Sequence, residues 1–91
     1  MKRRFLIMNP KDNVATALQE IPKHDTVKID NKEISVNRKI KFGHKFALKN
    51  IKKGEYIYKY GEIIGKAKKD IDMGDWVHTR NVKSAYMERI K

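Results

Sequence analysis

Two short polar segments hold the residues of this sequence that are best suited to acid–base chemistry or anion binding. The first is His44-Lys45, and the second is His78-Thr79-Arg80-Asn81. Imidazole can transfer protons near neutral pH, and an adjacent ammonium group can hold a carboxylate or lower the pKa of the imidazole. Hydroxyl, amide and imidazole groups close together suit hydrogen bonds to a polyhydroxy acid. We therefore expect the two segments to converge on one site for an anionic small molecule.

Each segment also has a simpler interpretation. His44 and Lys45 could belong to an exposed turn, and the second segment could be an ordinary strand end. Strand geometry would send His44 and Lys45 to opposite faces, although directly after Gly43 both could reach one cleft. The third histidine, His24, lies in a polar loop and is expected to be solvated.

The spacing of the histidines does not predict a preformed metal site. His24, His44 and His78 lack the short spacing and the adjacent carboxylates of such sites. His44, His78 or both could still complete a metal site on another chain. The sequence has no nucleophile elbow, close acid pair or phosphate loop, so it gives little support to a self-contained enzyme.

The elements that must position the polar segments are mostly short strands. We predict strands over residues 5–8, 56–60 and 63–67, the last two joined by a tight turn. Residues 26–29 and 33–36 should form a hairpin, because the Asp and Asn between them tolerate a left-handed backbone.

One short helix is also predicted, over residues 13–20. Asp12 suits its N-cap, Pro22 ends it, and its apolar positions have helical spacing: Val14, Ala17, Leu18 and Ile21. A helix this short would have to be held by packing. The tail from Lys83 also has near-helical apolar spacing, so residues 82–91 could form a short helix or a docking segment.

A pattern of Ile, two variable residues and Gly occurs at residues 40–43, 51–54 and 71–74. Glycine in that place predicts a turn with positive φ, with the isoleucine packed beneath it. In two copies an aromatic residue, Tyr56 or Trp76, then begins a strand. The first copy instead continues with His44 and Lys45. Polar, titratable residues at a place where the other copies have packing residues indicate function.

Length and charge limit the classes of function. The 91 residues fit a single domain over 1–91, with a core too small for a deep private pocket. The net charge of +11 is most simply interpreted as a solvated lysine-rich surface, although such an excess also attracts anionic metabolites, acidic protein surfaces or polyanions. With no cysteine, no signal-like apolar run and no stretch of membrane-spanning length, a cytoplasmic protein is expected.

Tyr56, Tyr58 and Tyr60 form an aromatic stripe of period two on this basic chain. Such a stripe can stack on bases in single-strand binders, but it is more often half core and half interface. No basic block of the length of a nucleic-acid-binding tail is present. Nucleic acid is therefore the less favoured partner.

Four blocks of the sequence, residues 12–18, 43–48, 60–65 and 76–82, together resemble one family. The chain resembles the amino-terminal SAF-type domain of the altronate and galactarate dehydratases, which also serves as the small subunit of split relatives such as sulfolactate sulfo-lyase. The resemblance implies a mostly β (small α+β) fold of the β-clip type with one short helix. It further implies a small subunit or separated domain that works with a large catalytic lyase subunit. Homo-oligomerisation is left open.

The resemblance also implies a reaction. Dehydratases of this kind remove water from sugar acids to give 2-keto-3-deoxy acids, commonly with iron or manganese, and the partner chain is expected to hold most of this divalent metal site. Two alternatives are a non-catalytic SAF-type module that binds a sugar acid and, less favoured, a basic nucleic-acid-binding domain.

The resemblance, together with the chemistry of the side chains, implies catalytic roles for the positions that match the motifs of the family. His44 or His78 is assigned to proton transfer, and Lys45 to the substrate carboxylate or to a second base. Elimination from a dihydroxy acid needs a base for the proton beside the carboxylate and an acid for the departing hydroxyl.

Four further positions are expected to bind substrate. Thr79 and Asn81 should bind its hydroxyls, and Asn13, at the expected helix start, should help to place an anion. The family often has a second histidine where this chain has Arg80. Because guanidinium does not deprotonate in proteins, Arg80 can only bind anions.

Overall fold

The computed structural model describes residues 4–84, which form nine short β-strands and no helix. In chain order these are β1 (Phe5–Leu6), β2 (Val14–Ala17), β3 (Thr26–Ile29), β4 (Lys32–Ser35), β5 (Lys45–Ala47), β6 (Tyr56–Lys59), β7 (Glu62–Ala67), β8 (Trp76–Val77) and β9 (Val82–Ser84). The mostly β fold is confirmed. Residues 4–84 contain no helix of the length and apolarity needed to cross a membrane.

The strands form three antiparallel sheets. One has four strands in the order β1-β2-β5-β8, one is the β3–β4 hairpin, and one has the order β6-β7-β9. In the four-stranded sheet Lys45 of β5 lies opposite Val77 of β8, and Phe46 lies opposite Trp76. Because the two strands are antiparallel, the start of β5 lies beside the end of β8. The two polar segments of the sequence are therefore neighbours.

The short helix predicted over residues 13–20 is wrong, because residues 14–17 form β2. This strand is hydrogen-bonded between β1 and β5, and three of its four residues are buried. Both faces of β2 are covered, so apolar and polar residues do not alternate along it. The two-residue period that would indicate a strand is therefore absent from the sequence. Asp12 is not an N-cap. Its carboxylate instead accepts hydrogen bonds from the backbone N–H groups of Asn9, Tyr60 and Gly61.

The covering of both faces is visible in the core, which has two apolar clusters. Phe46 packs in the first cluster and its neighbour Ala47 in the second, and Ala15 and Val14 are divided in the same way. Successive side chains of a strand point to opposite faces. The four-stranded sheet therefore lies between the two clusters, with the β3–β4 hairpin on one side through Val27 and Ile34, and residues of β6 and β7 on the other.

The Ile-x-x-Gly pattern forms tight turns as predicted. The three glycines have φ values of 84°, 92° and 91°, and each isoleucine is at most 1% exposed: Gly43, Gly54 and Gly74; Ile40, Ile51 and Ile71. A fourth turn of the same form lies at residues 21–24, where His24 takes the glycine place with a φ of 71°. His24 is exposed, as expected, and it also occupies a left-handed turn position.

The four turns are paired in two equivalent ways. Ile21 forms an antiparallel bridge with Ile40, and Ile51 forms one with Ile71. In every turn the residue with positive φ donates its N–H to a carbonyl just before the paired turn: His24 to Val36, Gly43 to Ala17, Gly54 to Ala67 and Gly74 to Ala47. The fold therefore contains two copies of one arrangement, a turn pair at residues 21–24 and 40–43 and an equivalent pair at residues 51–54 and 71–74.

Both predicted hairpins are confirmed, with small shifts of boundary. β3 and β4 meet at Asp30, whose φ is 54°, and β6 and β7 meet at Tyr60 and Gly61, with φ values of 61° and 73°. The first strand is shorter than predicted. The segment proposed as a tail begins as β9, which pairs with β7, and residues 85–91 lie outside the described part.

Candidate functional site

The two polar segments meet at one open cleft, which has a volume of about 760 Å³. We call it the Trp76 cleft. It is lined by residues of the turn before β5, of β5, β7, β8 and β9, and of the 78–81 loop: Arg38, Gly43, His44, Lys45, Ile64, Trp76, Val77, His78, Thr79, Arg80, Val82 and Ser84. Five of the predicted site residues therefore share this cleft, whereas Asn13 and Asn81 do not line it.

Trp76 is the contact that connects the two histidines. Its indole N–H donates a hydrogen bond to Nδ1 of His44 over 3.1 Å. The ring of His78 stacks on the indole, with centroids 3.8 Å apart and planes 18° apart. The guanidinium carbon of Arg38 lies 4.8 Å from the centroid of the same indole, within the range of a cation–π contact. One side chain thus holds three polar residues of the cleft.

The 78–81 loop is shaped by Asn81, which is 6% exposed. Its side-chain oxygen accepts from the backbone N–H of His78 over 2.9 Å, and its amide donates to the carbonyl of Trp76 over 2.8 Å. With both amide groups used by the backbone, Asn81 supports the loop from beneath. Its prediction as a hydroxyl ligand gains no support from this geometry, whereas Thr79 and Arg80 are exposed on the same loop.

Asn13 lies away from the cleft and makes structural contacts. Its amide donates to the carbonyl of Tyr56, and its side-chain oxygen accepts from the backbone N–H of Tyr58. These bonds attach the start of β2 to β6. The predicted role in anion binding depended on a helix start, and that helix does not form.

The electrostatics of the cleft favour an anionic ligand. Among the described residues that line it there is no carboxylate, whereas Arg38, Lys45 and Arg80 each contribute a cationic side chain. A smaller recess of about 420 Å³ adjoins it and shares Arg38, His44 and Trp76. Its remaining lining residues are all lysines, Lys23, Lys39 and Lys41. Much of the net charge of the chain therefore surrounds Trp76.

Two groups of the cleft titrate away from their ordinary values. Burial, and then the positive charge of Lys59, lowers the pKa of Lys45, while Tyr60 acts in the opposite direction. Burial, and then the charges of Arg38, Arg80 and Lys69, lowers the pKa of His78. Both shifts favour the neutral form.

Several residues of the site were not singled out from the sequence. Arg38 and the three lysines of the recess lie among many exposed cations and have no distinguishing spacing. Trp76 was expected only to anchor its strand. Its position directly before a Val-His pair could have signalled a ring contact, but its hydrogen bond to His44 spans 32 residues.

The donor set of the described residues does not fit a metal ion. Within residues 4–84 no three His, Cys, Asp or Glu side chains are grouped closely enough to bind one. In addition, Nδ1 of His44 and Nδ1 of His78 are hydrogen-bond acceptors, the latter from the backbone N–H of Arg80 over 3.3 Å. The described residues therefore do not form a metal site by themselves.

Comparison with known proteins places this geometry in context. A family model described as the altronate/galactarate dehydratase SAF domain matches residues 3–85. The altronate dehydratase of Bacillus subtilis (strain 168) is 39% identical over 82 residues, which are 90% of this chain and 16% of that protein. The altronate dehydratase of Escherichia coli (strain K12) is 37% identical over 81 residues, which are 89% of this chain and again 16% of that protein.

A shorter relative matches as well. The alpha subunit of (2R)-sulfolactate sulfo-lyase of Paracoccus pantotrophus is 44% identical over 57 residues, which are 60% of this chain and 85% of that subunit. The chain therefore spans a small part of the altronate dehydratases but matches most of this subunit.

Proposed function

Because this chain belongs to the altronate/galactarate dehydratase SAF domain family, we propose that it is part of a carbon–oxygen lyase that dehydrates a sugar acid such as altronate or galactarate. The observation that carries the proposal is the meeting of both histidine segments in a cleft whose described lining residues include cations and no carboxylate. A hydroxylated carboxylate matches that lining in charge and in hydrogen-bonding groups.

The cationic side chains provide the recognition of the acid. Lys45 is half-buried and Arg80 is exposed, and both line the cleft. Arg80 keeps its charge and can bind a carboxylate through two N–H groups, but it cannot accept a proton. The hydroxyl of Thr79 can pair with a substrate hydroxyl. Of the described residues that line the cleft, His44, Lys45 and His78 carry the imidazole and ammonium groups and are thus the candidates for catalysis, as the sequence predicts.

The remainder of the active centre would come from a larger catalytic part. In the altronate dehydratases the matched segment is 16% of the protein, and the cleft as residues 4–84 form it is open to solvent. We propose that the larger part closes the cleft and binds the divalent metal, iron or manganese. A cytoplasmic location belongs to the same proposal and agrees with the absence of cysteine.

The test begins with affinity purification of the full chain from its native cells and mass spectrometry of the proteins that accompany it. The reconstituted complex is then assayed for keto-acid formation from altronate and from galactarate. Conversion of either acid, dependent on this chain, is the expected result. A complex that converts neither acid would contradict the proposal.

Variants of the complex then test the cleft. His44→Asn and His78→Asn should each lower kcat/KM by at least about tenfold, as the loss of one catalytic hydrogen bond does. The control is His24→Asn, because His24 lies outside the cleft and Asn tolerates its positive φ. Near-normal turnover in both cleft variants would remove these histidines from the site.

A second candidate function is a non-catalytic module that binds a sugar acid, and the open, cationic cleft fits it as well. Binding of galactarate by the isolated chain, with no activity in the reconstituted complex, would favour this alternative. Nucleic-acid binding is less favoured and predicts an affinity that falls steeply with added salt for any polyanion.

A further inference from the structure

The two histidines of the cleft share a feature that the proposed function does not use. In each ring Nδ1 accepts a hydrogen bond from a group that can only donate. For His44 the donor is the indole N–H of Trp76, and for His78 it is the backbone N–H of Arg80. A nitrogen that accepts such a bond carries no hydrogen. In the neutral ring the hydrogen must then lie on Nε2.

The surroundings keep both rings in place. His78 is stacked on the indole of Trp76 at 3.8 Å, and the ring of His44 lies 5.6 Å from the same indole, centroid to centroid. Burial, and then the positive charges of Arg38, Arg80 and Lys69, oppose a second proton on the ring of His78 by lowering its pKa. Within residues 4–84, Nε2 of neither ring has a hydrogen-bond partner.

We propose that His44 and His78 are hydrogen-bond donors that offer Nε2–H to a carboxylate or hydroxyl oxygen of an anionic ligand, and that Trp76 is the positioning residue that fixes this form of His44. The two N–H groups complement the cationic side chains of Lys45 and Arg80 around one acid. The identity of the ligand as a sugar acid rests on the proposed function, whereas the position of the hydrogens does not.

With the hydrogen on Nε2, each histidine has fewer roles available. A ring with Nδ1 engaged and Nε2 protonated has no lone pair free to take a proton from a substrate or to bind a divalent metal. A neutral imidazole can still stabilise negative charge on an oxygen as a donor. Proton transfer in the proposed reaction is then left to Lys45 or to groups of the catalytic part.

The direct test is long-range proton–nitrogen correlation NMR of the full chain with labelled histidines, above the ordinary histidine pKa. His44 and His78 should each show an unprotonated Nδ1 and a protonated Nε2. Trp76→Phe keeps an aromatic ring but removes the indole N–H. It should shift His44 to a mixture of the two neutral forms, while His78 keeps its form through the Arg80 amide. A protonated Nδ1 in the wild type, or an unchanged His44 in the folded variant, would overturn the proposal.

A second measurement uses galactarate as the probe and does not depend on replacing Trp76. Glutamine can place an N–H near the position of Nε2, whereas asparagine reaches only the position of Nδ1. His44→Gln should therefore keep most of the affinity, and His44→Asn should lose about tenfold, the value of one charge-assisted bond. Equal losses would contradict the proposal. If the reconstituted complex binds neither galactarate nor altronate, the proposed function fails while the NMR result stands.

Manganese ions alone provide the opposing test. If the rings are donors, dilute Mn²⁺ should broaden no histidine signal selectively. Selective broadening of both the His44 and the His78 ring signals would show that these nitrogens bind a divalent metal, and would overturn the assignment.

Discussion

The side-chain amide of Asn81 donates a hydrogen bond to the carbonyl oxygen of Trp76 over 2.8 Å and so ties the end of the 78–81 loop to β8. The same side chain accepts from the backbone N–H of His78. Asn81 therefore determines where His78 and the exposed Thr79 and Arg80 lie relative to the indole. Its importance for the site is structural.

Asn81→Ala should lower the free energy of unfolding by about 1–3 kcal/mol, because it leaves the part-buried N–H of His78 and the part-buried carbonyl of Trp76 without partners. The change is measured by urea denaturation monitored through Trp76. Thr79→Ala, on an exposed position of the same loop, is the control and should stay within about 0.5 kcal/mol of the wild type. Equal stability of the two variants would show that the amide of Asn81 does not hold the loop.

The turns of the Ile-x-x-Gly pattern were predictable from the sequence because a left-handed backbone conformation strongly favours glycine. The glycines of the Ile-x-x-Gly pattern all have positive φ. The fourth turn was missed because His24 occupies its left-handed position, which glycine usually takes. It was found only from its hydrogen bonds, which match those of the other three turns.

Gly74→Ala should destabilise the protein more than Gly54→Ala. Both glycines have similar positive φ, so both variants share a strain of about 1–2 kcal/mol. A β-carbon at Gly74 would also lie 2.2 Å from the carbonyl oxygen of Ser35, whereas one at Gly54 would meet no atom within 4 Å. Thermal unfolding of the two variants separates steric conflict from backbone strain. Identical melting temperatures would contradict the close packing of Gly74 on β4.

The helix predicted over residues 13–20 shows where sequence patterns fail. Val14, Ala17 and Ile21 are buried as predicted, but their spacing fits an interior strand with two covered faces as well as it fits one helical face. The deciding interactions are with β1 and β5, and the residues of β5 lie about thirty positions away in the sequence. Asp12 and Asn13 suit a helix start by type, and they bind the backbone of a distant hairpin instead.

Arg38→Gln should raise the pKa of His78, which burial and then the charge of Arg38 lower in the wild type. Proton NMR titration of the His78 ring measures the change. Arg38→Lys keeps the charge and serves as the control, with an unchanged pKa expected. An unchanged pKa in Arg38→Gln would show that the guanidinium does not act on this ring.

The same shift has a consequence for stability. Because the pKa of His78 is lower in the folded protein, the unfolded chain binds a proton more readily as the pH falls through the ordinary value near 6.5. His78 therefore reduces stability on the acid side of neutrality and has no such effect above it. Arg38→Gln should lose less stability than the wild type between neutral and mildly acid pH, measured by urea denaturation at each pH.

The candidate site was predicted in part. His44, Lys45, His78, Thr79 and Arg80 meet as expected, because β5 and β8 are antiparallel neighbours and each segment lies at the adjoining end. The contribution of Arg38 was not predictable, because its contact with the indole of Trp76 depends on tertiary packing and not on local spacing. Nor do neighbouring residue types reveal that the side-chain amide of Asn81 is fully used by the backbone.

Lys45→Met should weaken galactarate binding by at least about tenfold, because it removes a charge-assisted contact from the cleft. The same change should raise the free energy of unfolding at neutral pH. Burial and then the charge of Lys59 lower the pKa of Lys45, so its ammonium group is less favourable in the folded than in the unfolded chain below the ordinary value. Titration calorimetry and urea denaturation measure the two effects.

The control is Lys53→Met, on an exposed turn outside the cleft, which should change neither galactarate binding nor stability. If Lys45→Met loses both stability and galactarate binding, Lys45 has a structural role. If the variant binds galactarate more weakly but is more stable than the wild type, the charge of Lys45 serves ligand binding at the expense of stability.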